Sequence, residues 1–259
     1  MKLLHMKTRM ALLTLVCGLL LCWSNSANAL LFTTAPGAMA ASADFTILPG
    51  NLLQVTLTNT GTVDPAAPGD ILSGVLFNLA GNPTLSKDSA VLGAGSTVIH
   101  GPTPSTDPAA GAPPNSVAGE WAYTNSLNSH GANESIYSSG YFDGNARFPV
   151  SPGSGTVGTN LQGPGSVNGI QYGITTAFDT PGNDNTGIAA GLIQNQVVFT
   201  LDNFIGSLAD ISGVSFQYGT SLTETNIPGT PPVPDSGTTA MLMGLGLTSL
   251  GLVRRFLIA

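Results

Sequence analysis

The sequence predicts an all-β protein: an antiparallel, jelly-roll-like β-sandwich with long Gly/Pro/Ser loops. Three observations carry that expectation. Several short segments alternate apolar and polar residues with a period of two, the pattern of half-buried strands. Charged residues make up only 8% of the 259-residue chain, while Gly (33) and Pro (18) are abundant, so turn-forming residues separate the apolar runs. No stretch between the two chain ends keeps a helical period. Short strands between turn-rich loops favour an antiparallel sandwich over a parallel α/β sheet.

The chain opens on a different pattern. Lys2, Lys7 and Arg9 form a positive start, Met10–Cys22 is an apolar run, and Ala27-Asn28-Ala29 is an A-x-A site. Together they predict a secretory signal helix over residues 1–29, cut by signal peptidase between Ala29 and Leu30. Lipid attachment at Cys22 fits less well, because Leu21 stands where a lipobox needs a small residue. The apolar stretch is too short for a retained span.

Residues 30–230 form the body. Strands are predicted at Phe45–Leu48, Leu53–Leu57, Ile71–Leu79, Ser96–His100, Ile170–Phe178, Gln196–Leu201 and Ile211–Tyr218. One pattern occurs twice. Gln54–Thr58 precedes Asp70-Ile71-Leu72-Ser73-Gly74-Val75-Leu76-Phe77, and Gln196–Thr200 precedes Asp210-Ile211-Ser212-Gly213-Val214-Ser215-Phe216. Each reads as a strand, a loop and then D-I-(x)-S-G-V-x-F. A two-strand unit used twice would place related hairpins at the domain's start and finish, side by side in one sheet. Convergent strand composition explains the match equally well. The middle is looser. Pro102–Pro114 and Ser151–Gly169 read as flexible loops. Between them, Glu120–Phe148 holds the body's one aromatic cluster, including Trp121, Tyr123, Tyr137 and Tyr141.

The C-terminal segment, 231–259, has its own order. Val233-Pro234-Asp235-Ser236-Gly237 follows Pro231 and Pro232, then come an apolar run at 238–253 and the pair Arg254-Arg255. The run is apolar on all faces, which a helix docked on a domain would not be. As a helix its 16 residues would span about 24 Å, short of a bilayer core of about 30 Å. A single transmembrane helix of this length suits a temporary anchor, with the Arg pair kept on the cytoplasmic side. The prolines hold the preceding backbone extended and accessible. In motif, apolar helix and basic end, the segment resembles the VPDSG variant of the PEP-CTERM sorting signals of Gram-negative bacteria. That resemblance implies recognition and cleavage near the motif by an exosortase, a membrane-embedded protease or transpeptidase, followed by release or attachment at the outer surface. Val233, Pro234, Asp235, Ser236 and Gly237 would be recognition residues, with Arg254 and Arg255 as the cytoplasmic stop.

Composition limits what the body can do. Only Lys87 and Arg147 among the cations lie in it, against thirteen of the 14 acidic residues, for a net charge near −11. Such a surface excludes nucleic acid as a partner. Both cysteines, Cys17 and Cys22, fall in the signal, leaving the mature chain no disulfide or thiolate site.

Motifs for catalysis are missing: no H-E-x-x-H, G-x-S-x-G or P-loop occurs. Glu120 and Glu134 could supply a carboxylate pair, and are more simply two exposed loop acids. No cofactor is implied. Calcium is the candidate ion, with Asp179 and Asp184 in an Asp/Asn-rich turn as ligands, although Asp and Asn favour turns without any metal. Trp121 and Tyr141 are the candidate glycan contacts, set against ordinary core packing.

The expectation is therefore a non-enzymatic, exported cell-surface or extracellular-matrix protein of structural or adhesive role. It is held in the inner membrane by its tail and then processed. An extracellular polysaccharide-binding, lectin-like module is the alternative, and a secreted hydrolase a remote one.

Overall fold

The computed structural model describes residues 29–99, 115–127, 129–138, 146–149, 171–180 and 191–231, together with Gly244 and Gly246. Thirteen strands form two sheets among these residues. The first sheet contains β1 (Ala29–Thr33), β2 (Ala41–Leu48), β3 (Leu52–Asn59), β5 (Ser86–Leu92) and β11 (Gln196–Asp202), in the order β1-β2-β3-β11-β5. The second contains β4 (Leu72–Leu79), β6 (Thr97–Ile99), β7 (Trp121–Thr124), β8 (Glu134–Ser138), β9 (Ile174–Thr175), β10 (Leu192–Gln194), β12 (Ile211–Tyr218) and β13 (Asn226–Pro228). Its order is β13-β12-β4-β9-β10-β6, and the hairpin β7-β8 also pairs with β4.

The first sheet forms where alternation is cleanest. Ala41, Ala43 and Phe45 of β2 and Leu53, Val55 and Leu57 of β3 are buried, and the residues between them are only half-buried. Gly50 (φ 91°) and Asn51 (φ 63°) take the left-handed conformations that let β2 turn tightly into β3. β4 is different. Seven of its eight residues are buried, because β12 flanks it on one side and β8 and β9 on the other, while Tyr137 and Ala132 pack with Leu76. A strand covered on both faces becomes a continuous apolar run.

One core joins the sheets. It contains Phe45, Val55, Leu57 and Phe199 from the first and Val75, Phe77, Ile136 and Phe216 from the second. Phe45 meets Phe77 across the interface with ring centroids 5.2 Å apart, and Trp121 meets Phe199 at 4.9 Å. The sheets thus face each other as in a β-sandwich. Their order is not that of a jelly roll: β1, β2 and β3 pair consecutively in one sheet because short turns connect them, whereas a jelly roll alternates strands between sheets.

The repeated pattern has a structural counterpart, but its units are not hairpins. In each copy the first strand (β3, β11) lies in one sheet and the second (β4, β12) in the other. A 3-10 turn at Pro68–Asp70 or Leu208–Asp210 precedes the second strand. The copies pair antiparallel in both sheets. Thr58 faces Gln196 and Gln54 faces Thr200 in one, and Val75 faces Phe216 in the other. The equivalent residues Thr56 and Val198 face each other at the centre, so an approximate two-fold axis relates the copies. Each turn is closed by its aspartate. Asp70 accepts hydrogen bonds from the Ala66 and Ala67 N–H groups at 3.0 Å, and Asp210 accepts from the Ser207 N–H at 2.7 Å.

Sequence periodicity found β2, β3, β4, β6, β11 and β12 at least in part. The strand expected over Ile170–Phe178 shrinks to Ile174–Thr175, and the looser middle contributes the hairpin β7-β8. Among the described residues no helix is long and apolar enough to cross a membrane. The signal segment up to Asn28 and, apart from Gly244 and Gly246, the run 238–253 lie outside the described residues.

Candidate functional site

Two regions of the body carry functional interest, and the first is the meeting of its ends. β1 is an edge strand, paired with β2 alone in its sheet. Beyond β13 the chain comes back to it. Thr33 N–H donates to the Thr230 carbonyl at 3.0 Å, Thr230 N–H donates to the Thr33 carbonyl at 2.8 Å, and the Thr230 hydroxyl adds a third bond to that carbonyl at 2.9 Å. Ala29, the expected cleavage residue, is the exposed first residue of β1. Beside it lies an apolar hollow of about 390 Å³ bounded by Leu30, Phe32, Leu208, Ile211 and Pro231. Ala27, the motif residues Val233, Pro234, Asp235, Ser236 and Gly237, and the pair Arg254-Arg255 fall outside the described residues.

The second region is the β7-β8 hairpin. Trp121 was expected as a glycan contact, but its side chain is 0% exposed. Its indole N–H donates to the Tyr172 carbonyl at 3.1 Å and its ring packs on Phe199, so it is a core residue. A strand facing the opposite sheet leaves no face of that ring for a sugar. Tyr141 lies outside the described residues. Glu120 and Glu134, expected as exposed loop acids, are both buried, at 1% and 0% exposure. The Tyr123 hydroxyl donates to Glu134 Oε2 at 2.5 Å, and Glu134 Oε1 is buried with no hydrogen-bond partner. Burial pushes the Glu134 carboxyl up to about 7, against a smaller opposing effect of the tyrosine hydrogen bond. Tyr123 is held well above its ordinary range, first by burial and then by Glu134.

Tyr123 also borders a mixed hollow of about 440 Å³ with Thr84, Ser86, Lys87, Thr124 and Asn125. Neither glutamate lines this hollow or the apolar one. The Tyr123–Glu134 pair escaped sequence reasoning because Tyr-x(10)-Glu has no motif meaning; only the hairpin brings the two together.

Asp179, the expected calcium ligand, is 2% exposed, and its Oδ2 accepts the Thr175 hydroxyl at 2.6 Å. That bond closes the turn after β9. Asp184 lies outside the described residues, and among those described no three His, Cys, Asp or Glu side chains gather to hold a metal.

Comparison with known proteins finds one feature. Residues 232–256 match the VPDSG-CTERM motif, which marks an exported protein carrying an exosortase-type sorting signal. No curated protein and no solved structure matches the chain.

Proposed function

We propose that this chain is a structural or adhesive protein of the cell surface or extracellular matrix. An exosortase-type enzyme cuts it near Val233–Gly237, and the two-sheet body is the part delivered. One observation carries the reading: the VPDSG-CTERM match begins at residue 232, two residues after Thr230, the last paired residue among those described. A short helix over 238–253 serves as temporary anchor, and signal peptidase frees the other end at Leu30. The test is intact mass of the mature protein from its host, with and without the exosortase gene. A chain running from Leu30 to within Val233–Gly237, and lost without the enzyme, supports the reading. A chain still ending at Ala259 in both strains sinks it.

Extracellular polysaccharide binding is the second reading, and the hollow beside Tyr123 favours it. Thr84, Ser86, Lys87, Thr124 and Asn125 offer hydroxyl, amide and ammonium groups of the kind that bond sugar hydroxyls. Retention on the host's polysaccharide that Asn125→Ala and Lys87→Ala abolish would support it. Equal retention of both variants would leave the structural role alone.

A further inference from the structure

We propose that the end of the body carrying both chain ends is a docking surface for the enzyme that cuts the sorting signal, so that recognition extends from the tail onto β1 and the loop before β12. The inference rests on exosortase-type processing as read above. Reach is its first support. Val233 follows Thr230 by three residues, which span at most about 10 Å fully extended. Thr230 is fixed to Thr33 by three hydrogen bonds, so an enzyme holding the motif must lie against this end of the body.

Direction is the second. The Thr33–Thr230 bridge is antiparallel, so at Thr230 the chain is heading toward the Ala29 end of β1. Were that register continued, Pro232 would fall opposite Leu31 and Pro234 opposite Ala29. These are the positions, alternating with Thr230, whose N–H groups would extend the ladder. Proline has no N–H, so the tail cannot zip onto β1.

The surface itself fits a protein. Leu31 is 43% exposed on the outer face of β1, the apolar hollow lies between Leu30 on the other face of that strand and Leu208, and Ile205, three residues before Leu208, is 86% exposed outside the hollow. Anionic lipid is a poor alternative for a body of net charge near −11 whose two cations, Lys87 and Arg147, do not line the hollow.

The experiment follows processing of the full chain in a host that has the enzyme, for the native sequence, Leu31→Asp and Ile205→Asp. Both positions are exposed, so the substitutions spare the core, and the tail is untouched. Processing slowed at least five-fold in either variant, with an unchanged melting temperature, is expected. Native-rate processing of both overturns the docking surface and leaves the tail as sole determinant. Cosedimentation of the native processed protein with phosphatidylglycerol vesicles, lost in the variants, would assign the surface to lipid and equally overturn it. No processing of the native chain would instead defeat the sorting reading itself.

Discussion

Thr33 and Thr230 exchange two backbone hydrogen bonds, of 3.0 and 2.8 Å, across 197 residues of sequence. The first strand of the body and the last residues before the sorting motif are thus one structural unit. The proposed cleavage beyond residue 232 would leave this pairing intact, with the new C-terminus fastened beside β1.

Truncation after Pro228 removes the three Thr33–Thr230 bonds and the bond from the Gly229 N–H to the Val214 carbonyl at 2.8 Å. Each net hydrogen bond contributes about 0.5–1.5 kcal/mol, so losing these four should lower stability by about 2–6 kcal/mol relative to a chain ending at Gly237. The Thr33 amide should lose its exchange protection. Urea unfolding and amide exchange by NMR read the two effects, and a Thr33 amide equally protected in both chains would refute the pairing.

Pro232→Val restores one N–H at a ladder position. The variant tail should pair with β1, slowing exchange at the Leu31 amide and lowering the rate of processing. Unchanged exchange at Leu31 would show that the proline is not what keeps the tail off the strand.

Glu134 couples stability to pH. Its folded pKa of about 7 lies above the ordinary 4.5, so the folded state holds its proton more tightly than the unfolded state. Its favourable contribution is complete below pH 4.5 and is lost as pH rises toward 7, on the order of 2–3 kcal/mol. Glu134→Gln keeps an acceptor for Tyr123 and should flatten this decline. Urea titrations at pH 5 and pH 7.5 test it; a Gln variant with the native slope would rule Glu134 out as the cause.

Gly74 stands directly opposite Tyr137, whose ring lies where a Cβ would go, against Tyr137 Cδ1. Strand propensity alone predicts that Gly74→Ala stabilises. The packing predicts the reverse, a loss of about 1–3 kcal/mol. A higher denaturation midpoint for the variant would contradict the packing.

The twin turns make a paired prediction. Asp70→Ala and Asp210→Ala each strip an acceptor from backbone N–H groups at equivalent places, and each should cost about 1 kcal/mol. Markedly unequal losses in thermal melts would argue against equivalence of the two copies.

The sequence by itself determined the strand-rich class, the sorting tail and the repeated D-I-(x)-S-G-V-x-F unit. Period-two alternation, the all-round apolar run beside Arg254-Arg255 and the recurring Asp-Ile are local patterns, legible one segment at a time. Tertiary structure alone decided how these pieces combine. β9 and β10, two and three residues long, carry too few positions for a period and exist because neighbouring strands supply their hydrogen bonds. The two repeat units look like hairpins in sequence. They cross between sheets because each can bury its apolar faces only against its twin and the opposite sheet. Trp121 and Glu134 show the same limit: an aromatic or acidic residue on a short strand reads identically whether it faces a ligand or the interior. Its partners, Phe199 and Tyr172 for the one and Tyr123 for the other, are fixed only when the sheets close.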